Sequence, residues 1–454
     1  MTERSNDPGD FAALVDDRPE DGVFQVDRRV YNDPEILEAE YKNIFEANWV
    51  FLCPEGLLNE PGDYVATHIG RQPVFVIRRK GGALGGFINA CSHRGNLLTD
   101  CRAGTMTEIA CPYHGWRFNT DGKCTGIKLR RVGWPEDDFD QSRFDLKPVA
   151  RLDTYRGLVF ASLNADVSTL EEHLGPVTAF LDLFCAPAPH PLEVVAGASI
   201  HTVNCNWKVL HDNGPDPYHA LTVHGNFAAT MVYRDEISGN TGLEKTETGR
   251  LGGRVAAGMY APGNGHTAFW ADKETPEVYP VYAMKDAIEK SLPPGRAKWA
   301  LERSRHVTVF PNLLVNELAS TYIRTYRPLA IDRTEISSWC LAPVGEAPEL
   351  RAARLRKFED FFMPTGMSTP DDVAIFERTH QGNMAAAGHR SDMSRGMRAA
   401  TPGPDGPAKE LGIEPELSSD QFTHEITLQG VYRQWVKMMA GAKGGGSATG
   451  AGHG

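Results

Sequence analysis

Two short pairs of cysteine and histidine limit the folds open to this chain more than any other feature of its sequence. Cys91-Ser-His93 is followed, seventeen residues later, by Cys111-Pro-Tyr-His114. The two side chains of each pair are only one or two residues apart, so each pair must lie on a tight loop, and a glycine follows closely in each case. Two sulfur and two nitrogen ligands on matching loops predict a metal site that brings the loops side by side.

The order of the ligands separates two kinds of metal centre. Zinc modules usually pair cysteine with cysteine and histidine with histidine, whereas each loop here offers one of each. This alternation lets the two cysteines bind one iron of a [2Fe-2S] cluster and the two histidines the other. The alternative is that the histidines are surface residues of turns and the cysteines fill the core. The remaining six cysteines lack a partner at ligand spacing and are expected to be packing residues: Cys53, Cys101, Cys124, Cys185, Cys205 and Cys340.

Length and charge exclude several classes of protein. With 454 residues, 41% of them hydrophobic and 23% charged, the chain is long and apolar enough for two or three globular domains. Its net charge of −12 disfavours nucleic acid and anionic membrane surfaces as partners. The N-terminus has no apolar stretch, the longest apolar runs are strand-sized and the cysteines are sparse, so we expect a cytoplasmic chain without signal peptide or membrane span.

The pattern of apolar residues and turn residues predicts an α+β fold with four stretches. Residues 1–35 are polar and predict an N-terminal arm, and residues 36–165 predict a small all-β domain with a lead-in. Residues 166–440 mix both periodicities and predict an α+β domain in which an antiparallel sheet is flanked by helices. Residues 441–454 are mostly Gly, Ala and Ser and predict a disordered tail.

A second candidate metal site lies in the segment HDNGPDPYHALTVH, which ends at His224. His219 and His224 are five residues apart, which on an ideal α-helix points them about 140° apart and away from one metal. We therefore predict a distorted helix there, for which a π-bulge is one known form. Two imidazoles and one carboxylate would form a facial triad with open positions on iron(II). Without other support, a histidine pair at this spacing is more often unrelated to any metal.

Taken together, CSHRG, CPYHGW and the pattern D-x2-H-x4-H resemble the Rieske non-haem iron aromatic-ring-hydroxylating oxygenases, large (alpha) subunit, from about residue 20 to about 440. The segments IFEANWVF, HIGRQP, INACSHRGN, LRKFEDFF and GMSTPDDV are similar to the benzoate, toluate and anthranilate 1,2-dioxygenase branch. The resemblance implies an N-terminal Rieske domain and a C-terminal catalytic domain. It also implies a [2Fe-2S] Rieske cluster bound by Cys91, His93, Cys111 and His114, and a mononuclear Fe(II) bound by His219 and His224.

The third iron ligand is assigned by the resemblance. In TPDD the residues themselves leave another reading open, with Thr369 as helix N-cap, Pro370 at the first helical position and two carboxylates facing the positive end of the helix dipole. The family's ligand corresponds to the second acid, so the resemblance implies Asp372 as the ligand and Asp371 as a helix-terminus charge.

The resemblance also implies roles for residues around the second site. Judged from its neighbours alone, Asp216 is a turn residue. In the family the matching aspartate carries electrons between subunits, which here implies a path from His114 of one chain to His219 of the next. Asp212 departs from the asparagine or glutamate of many relatives, and its role stays open. The residues expected to line the substrate pocket are Asp212, Asn213, Asn316, Phe362 and Ser368.

The implied function is that of a terminal oxygenase, which uses dioxygen and electrons from an NADH-dependent flavin and iron-sulfur reductase to hydroxylate an aromatic ring. The branch favours cis-1,2-dihydroxylation of benzoate, toluate, anthranilate, cumate or salicylate. Expected partners are two further large subunits, in a homotrimer, and a small beta subunit (α3β3). The alternatives are a Rieske mono-oxygenase or demethylase, an electron carrier without oxygenase activity, and a zinc-stabilised binding protein.

Overall fold

A computed structural model describes residues 10–185, 192–195, 197–238, 255–318, 320–385 and 390–441. The chain divides into two compact units, of which the smaller is Phe45–Leu170 and the larger combines Met1–Ile44 with Glu171–Gly454. No helix among the described residues has both the length and the apolar character needed to cross a bilayer. The predicted tail lies, beyond Gly441, outside the described residues.

The smaller unit is built from three antiparallel sheets, as an all-β domain requires. The strand Gln72–Arg78 lies inside the largest sheet. Four successive residues from Val74 to Ile77 are fully buried, so both faces of this strand are covered. In sheet order the strands are Leu84–Ile88, Gln72–Arg78, Asp63–Ile69 and Ala103–Thr105; Cys124–Gly126, Arg117–Phe118 and Ile109–Ala110; and Arg151–Tyr155, Leu158–Ser162 and Val50–Pro54. A short helix, Arg130–Gly133, follows the second sheet.

The larger unit contains a ten-stranded antiparallel sheet, here named the pocket sheet. Its order is Leu192–Val194, Arg333–Pro343, Tyr322–Ala330, Leu313–Asn316, Arg303–Val309, His266–Asp272, Ala257–Gly263, Leu417–Ser419 and Thr401–Pro402, with Ser199–Val203 also paired to Arg333–Pro343. The helices are Arg29–Asn32, Pro34–Glu40, Leu170–Leu174, Thr178–Cys185, Trp207–Asn213, Ala220–Val223, Gly225–Ser238, Lys285–Ser291, Pro294–Glu302, Pro348–Phe362, Thr369–Asn383, Gly406–Leu411 and Ile426–Ala440. The predicted α+β class, with an antiparallel sheet accompanied by helices, is confirmed.

The prediction of an N-terminal arm is corrected by the structure, because residues 10–44 form strands and helices of the larger unit. Val15–Arg18 and Val23–Asp27 form a hairpin, to which the distant strand Arg390–Asp392 adds a third strand. Phe24 and Val26 of the hairpin are fully buried. The predicted start of the all-β domain at residue 36 is therefore too early, whereas the predicted boundary at residue 165 lies five residues before Leu170.

A buried ionic network explains why the segment around residue 40 belongs to the larger unit. The carboxylate of Glu40, which has no exposed surface, accepts a hydrogen bond from Nζ of Lys208 at 2.7 Å. It also accepts from the indole nitrogens of Trp207 at 2.8 Å and Trp435 at 2.7 Å. A buried carboxylate is tolerated only when it is paired and hydrogen-bonded in this way. Glu40 thus connects the N-terminal segment to the helices Trp207–Asn213 and Ile426–Ala440.

Candidate metal centres and substrate cavity

The two cysteine and histidine loops of the smaller unit have the same backbone pattern. The amide of Cys91 donates to the carbonyl of Asn96, and the amide of Gly95 donates to the carbonyl of Cys91, both at 2.8 Å. Cys111 and the residues four and five positions after it form the same two bonds at 3.0 and 2.8 Å. Both loops turn through a left-handed glycine, with φ of 72° at Gly95 and 70° at Gly115. A Cβ atom would have room at both positions, so the backbone conformation and not a close neighbour requires glycine.

The four predicted ligands lie with their sulfurs inside and their imidazoles outside. Cys91 and Cys111 are buried, whereas His93 is exposed and His114 is half-buried. The two imidazole ring centres are 4.6 Å apart, and the ring of Trp116 stacks on His93 at 4.5 Å. Burial raises the pKa of the Cys91 thiol to about 11, and the adjacent Cys111 adds to the rise.

This donor set fits a [2Fe-2S] cluster. Burial makes ionisation of the Cys91 thiol costly, and an iron pair would provide the positive charge that stabilises a thiolate there. The imidazoles, exposed at His93 and half-buried at His114, would then form the solvent-facing edge. Among the other cysteines, the buried ones agree with a packing role and Cys101, which is exposed, does not: the buried ones are Cys53, Cys124, Cys185, Cys205 and Cys340.

In the larger unit, His219, His224 and Asp372 each point one potential ligand atom at a common centre, and these atoms lie within 4.8 Å of one another. The Nε2 atoms of His219 and His224 are 3.7 and 3.4 Å from Oδ1 of Asp372. That oxygen is buried and accepts no hydrogen bond from any described residue. Burial raises the pKa of Asp372 to about 6, against the opposing charge of His219. A buried carboxylate oxygen that faces two imidazole nitrogens fits a divalent iron.

The two histidines converge because the helix is interrupted, as the predicted distortion requires, although the interruption is a break in the helix and not a π-bulge. Ala220–Val223 forms one short helical turn, and at His224 the backbone leaves helical geometry, with φ of −95° and ψ of 18°. A new helix, Gly225–Ser238, begins at the next residue. This break rotates one ring relative to the other, so that their centres are 5.2 Å apart.

Asp372 is delivered by the first turn of the helix Thr369–Asn383. The helix begins one residue earlier than predicted, and Ser368 rather than Thr369 occupies the N-cap position. Neither residue caps the helix through its side chain. The Oγ of Thr369 donates to the carbonyl of Phe361 at 3.2 Å.

Polar neighbours engage the other nitrogen of each imidazole. The Oγ of Ser368 lies 2.9 Å from Nδ1 of His224. The Oδ2 of Asp216 lies 3.4 Å from Nδ1 of His219, within ion-pair distance but without hydrogen-bond geometry, while Oδ1 of Asp216 accepts from the amide of Tyr218 at 2.8 Å. With Nδ1 directed at these partners, Nε2 is the nitrogen left to face Asp372.

The two imidazoles have different proton affinities in the metal-free chain. Burial disfavours the charged form of His219, but the neighbouring carboxylates of Asp216 and Asp372 outweigh burial and raise its pKa. Burial, aided by the charge of His219, lowers the pKa of His224 to about 3. His224 is therefore neutral at pH 7, as a metal ligand must be, whereas the raised pKa of His219 means that a metal competes with a proton there more than at His224.

The triad forms part of the wall of a cavity against the pocket sheet. Three of the five predicted pocket residues, Asn213, Asn316 and Phe362, line it. Its apolar lining includes Phe227, Phe269, Ala271, Leu314, Leu318, Phe361 and Phe422, and its polar lining adds Asp216, His306, Tyr322 and Arg324 to the triad. His306, Tyr322 and Arg324 were not predicted, because they lie on strands without a recognisable motif and reach the cavity only through the register of the sheet.

Two predicted pocket residues are corrected, since neither lines the cavity. Ser368 is fully buried behind His224. Asp212 is enclosed on the other side of its helix, where its Oδ2 accepts hydrogen bonds from the hydroxyls of Tyr31 at 2.7 Å and Tyr432 at 2.9 Å. Burial raises the pKa of Asp212 to about 7, although the two hydroxyls oppose the rise.

Comparison with known families agrees with this division of the chain. Residues 48–133 match the model of the Rieske [2Fe-2S] domain, and residues 189–441 match the ring hydroxylating alpha subunit (catalytic domain). The chain is 39% identical to the toluate 1,2-dioxygenase subunit alpha of Pseudomonas putida, over 94% of this chain and 93% of the relative. It is 36% identical to the anthranilate 1,2-dioxygenase large subunit of Acinetobacter baylyi, over 94% and 91% respectively.

The fold is also that of a solved oxygenase. The structure of naphthalene 1,2-dioxygenase from Rhodococcus sp. bound to indole superposes with a TM-score of 0.79, at 24% identity, over 92% of this chain and 94% of that one. These relationships confirm the resemblance inferred from the sequence motifs. The chain belongs to the ring-hydroxylating oxygenase alpha subunits, terminal oxygenases that carry a Rieske [2Fe-2S] domain and a catalytic domain for mononuclear iron and that hydroxylate aromatic rings with dioxygen and reductase-supplied electrons.

Proposed function

We propose that this chain catalyses the cis-1,2-dihydroxylation of a benzoate-type aromatic acid. The observation that carries the proposal is the triad His219, His224 and Asp372, set in the wall of a largely apolar cavity. The relatives named above act, by their names, on toluate and anthranilate, and a third relative, at 35% identity, is a 2-halobenzoate 1,2-dioxygenase large subunit. All three substrates are benzene rings that bear a carboxylate.

In this proposal Cys91 and Cys111 hold one iron of the Rieske cluster, and His93 and His114 hold the other. The placement of the side chains supports that division, because the sulfurs are buried and the imidazoles are closer to solvent. The imidazole edge is then the side from which an electron leaves the smaller unit. Trp116, stacked on His93, fixes the orientation of that ring.

His219, His224 and Asp372 would hold the mononuclear iron. Iron(II) bound by two imidazoles and one carboxylate supplies open positions at which dioxygen is activated. The surrounding residues set the geometry of this centre: Ser368 orients His224, and Asp216 faces His219. Their imidazoles are thereby held with Nε2 toward the carboxylate.

The cavity walls would bind and orient the aromatic ring. Phe362 and Phe361 pack edge to face with ring centres 4.6 Å apart, and the ring of Tyr322 is tilted by 39° against that of Phe362 at 4.0 Å. Aromatic walls of this kind favour an aromatic ligand and exclude water from its faces. Asn213, whose amide nitrogen is 3.2 Å from Nε2 of His219, places a polar group at the edge next to the triad.

The partners of the chain follow from its membership of the family. As a terminal oxygenase it requires a reductase, dioxygen and an aromatic substrate. We propose in addition that the reductase is an NADH-dependent flavin and iron-sulfur protein and that the large subunits form a trimer with small beta subunits (α3β3). In that trimer Asp216 would connect His114 of one subunit to His219 of the next.

Labelled dioxygen tests the proposal directly. Iron-loaded protein is incubated with a benzoate-type reductase, NADH, labelled dioxygen and a panel of benzoate, 3-methylbenzoate, 2-aminobenzoate, 4-isopropylbenzoate and salicylate. From the acids without an amino or hydroxyl substituent, we expect a product that contains both labelled oxygen atoms and two additional hydrogens. The diols of 2-aminobenzoate and salicylate would lose ammonia or water together with carbon dioxide, so these two acids report only whether catechol forms, and labels are counted on the others. A product with one labelled oxygen would identify a mono-oxygenase instead, and oxidation of NADH without product from any acid would contradict the proposed substrate class.

A further inference from the structure

Arg324 reaches the cavity through the register of the pocket sheet. In the strand Tyr322–Ala330, Arg324 pairs with Leu314 on one neighbouring strand and with Ser338 on the other. Tyr322 and Arg324 are two residues apart and therefore point to the same face. Both line the cavity, as does Leu314. The guanidinium thus shares the cavity wall with the iron triad, although only 7% of Arg324 is exposed.

Arg324 differs from the other buried arginines in lacking a carboxylate partner. Arg303 pairs with Asp272 and Glu410, and Arg305 and Arg354 pair with one glutamate each: Glu317 and Glu346. Within the described residues, no carboxylate lies within ion-pair distance of Arg324. A buried charge is costly unless an opposite charge or a set of hydrogen bonds compensates it. An anion that enters the cavity would provide that compensation.

Neutral neighbours hold the guanidinium in place. Its Nε donates to Oγ of Ser338 at 3.3 Å, and the hydroxyl of Tyr326 interacts with it from the next position on the same face. Its central carbon lies 5.4 Å from the ring centre of Tyr322. A guanidinium has five N–H donors in a planar fork, and the bonds to Ser338 and Tyr326 account for only two of them. The fork is therefore positioned by the sheet and keeps donors for a ligand.

The rest of the cavity determines which anion would fit. Apolar side chains such as Leu314, Phe269 and Phe362 form most of its lining. The carboxylate of Asp372 belongs to the iron triad and would be neutralised there. A ligand with a flat apolar body and one anionic group matches a cavity with apolar walls and one unpaired cation.

We propose that Arg324 binds the carboxylate of the aromatic acid substrate and so selects acids over uncharged rings of the same shape. This inference rests on the function proposed above. A guanidinium binds a carboxylate through two parallel hydrogen bonds, which fixes the direction of the ring as well as its affinity. Arg324 is in this role a substrate-binding residue that determines which ring carbons face the triad.

The competing explanation is that Arg324 serves only to balance the charge of Asp372. The two groups do interact over a longer distance, since the charge of Arg324 favours the ionised form of Asp372. If that were its only role, loss of Arg324 would change iron binding and would weaken acids and neutral analogues alike. The two explanations therefore differ in ligand preference and can be distinguished by binding.

The test compares benzoate with benzamide, a nearly isosteric neutral analogue. Binding to anaerobic, iron-loaded protein is measured by isothermal titration calorimetry for wild type, Arg324→Gln and Arg324→Lys. Arg327→Gln is the matched control, because it removes an arginine from the same strand that is paired with Glu335 at 3.2 Å and does not line the cavity. Iron content and the Rieske absorption spectrum show that each variant retains both centres.

We expect wild type and Arg327→Gln to bind benzoate at least about 10-fold more tightly than benzamide. Arg324→Gln should bind benzoate about 10- to 100-fold more weakly, with a change of less than about 3-fold for benzamide. An unchanged benzoate preference in Arg324→Gln overturns the inference and leaves the proposed function intact. If wild type binds neither compound and oxidises no aromatic acid, the proposed function fails and the inference fails with it.

The charge-retaining variant Arg324→Lys keeps the inference testable if Arg324→Gln does not fold. Arg324→Lys keeps the cation but cannot form two parallel hydrogen bonds, so its benzoate preference should lie between those of wild type and Arg324→Gln. If Arg324→Gln is not recovered in folded form, a wild-type preference in Arg324→Lys overturns the inference.

Discussion

The hydroxyl of Ser368 lies 2.9 Å from Nδ1 of His224, and Ser368 immediately precedes the helix that carries Asp372. A single buried residue therefore joins two ligands of the mononuclear site that are far apart in sequence. The hydroxyl is closer to Nδ1 than to Nε2, which lies 3.4 Å both from the hydroxyl and from the carboxylate oxygen of Asp372. We expect Ser368, which does not line the cavity, to orient His224 as a proposed iron ligand.

Replacement of this serine should weaken iron binding without affecting the cluster. We expect Ser368→Ala to lower the affinity for mononuclear iron by about 10- to 100-fold, because an imidazole that loses its hydrogen-bond partner is less well oriented and less basic. Iron retained after dialysis against a graded chelator measures the change. Ser320→Ala, which removes another buried hydroxyl that donates to the carbonyl of Arg354, should bind iron as wild type does. Equal iron retention in both variants would contradict the role given to Ser368.

The adjacent acids Asp371 and Asp372 provide a matched pair. Asp372→Ala should lose mononuclear iron and turnover while the red-brown Rieske spectrum persists, because the cluster belongs to the other unit. Asp371→Ala should keep iron and activity and lose about 0.3–1 kcal/mol of stability at most, since its carboxylate belongs to the first turn of the helix and is not among the three groups that converge on the common centre. Iron analysis and product formation distinguish the two. Full activity in Asp372→Ala would mean that another carboxylate is the ligand.

Asp216 has one oxygen in a local turn and one facing His219, so substitution by asparagine separates two roles. The amide oxygen can still accept from Tyr218, and the stability of Asp216→Asn should lie within about 0.5 kcal/mol of wild type. Loss of the charge next to His219 should slow re-oxidation of the pre-reduced cluster by about 10- to 100-fold or more in rapid mixing with substrate and dioxygen. Re-oxidation at the wild-type rate would show that Asp216 is not on the path of the electron.

The enclosed carboxylate of Asp212 predicts a dependence of stability on pH. Its pKa is raised from 3.8 to about 7, so between these values the folded chain holds a proton that the unfolded chain has released. Stability should therefore fall as pH rises through this window, and the loss is complete above about pH 7. Asp212→Asn removes the titration but keeps an oxygen for Tyr31 and Tyr432.

Melting temperatures from pH 5 to pH 8 test this expectation. The difference between Asp212→Asn and wild type should shift in favour of the variant as pH rises. Asp27→Asn is the control. Hydrogen bonds with Arg29 outweigh the effect of burial and lower the pKa of Asp27, so its carboxyl titrates below this pH range. A difference that stays constant for Asp212→Asn would mean that its carboxyl ionises normally in the folded chain.

Local spacing made the two metal centres predictable from the sequence. Each of these sites contains ligands that are close in sequence. Within the loop that begins at Cys91, within the loop that begins at Cys111, and in the pair His219 and His224, the candidate ligands are at most five residues apart, so their types are recognised together. Asp372 is 148 residues after His224 (372 − 224). It was assigned only through resemblance, and the helix that begins at Thr369 accounts for its position.

What the sequence did not show depends on distant pairing. Arg324 faces the cavity only because its strand pairs with Leu313–Asn316 in one particular register, and a shift of one residue would turn it away. The N-terminal segment was interpreted as an arm because its strand partner, Arg390–Asp392, lies more than 360 residues later (390 − 27 = 363). The resemblance implies Ser368 as a pocket-wall residue, and nothing in the sequence shows that its hydroxyl points to Nδ1 of His224 instead of the cavity.

The larger unit is built from segments that precede and follow the smaller unit, which is continuous in sequence. During synthesis the smaller unit can therefore fold, and its two loops can meet, as soon as Leu170 has left the ribosome. The proposed iron site must wait for Asp372, which is 202 residues later (372 − 170). At roughly 5–20 residues per second this delay is about 10–40 s. Cluster insertion can thus precede completion of the iron site, and nascent chains stalled before residue 372 should already be able to bind the cluster.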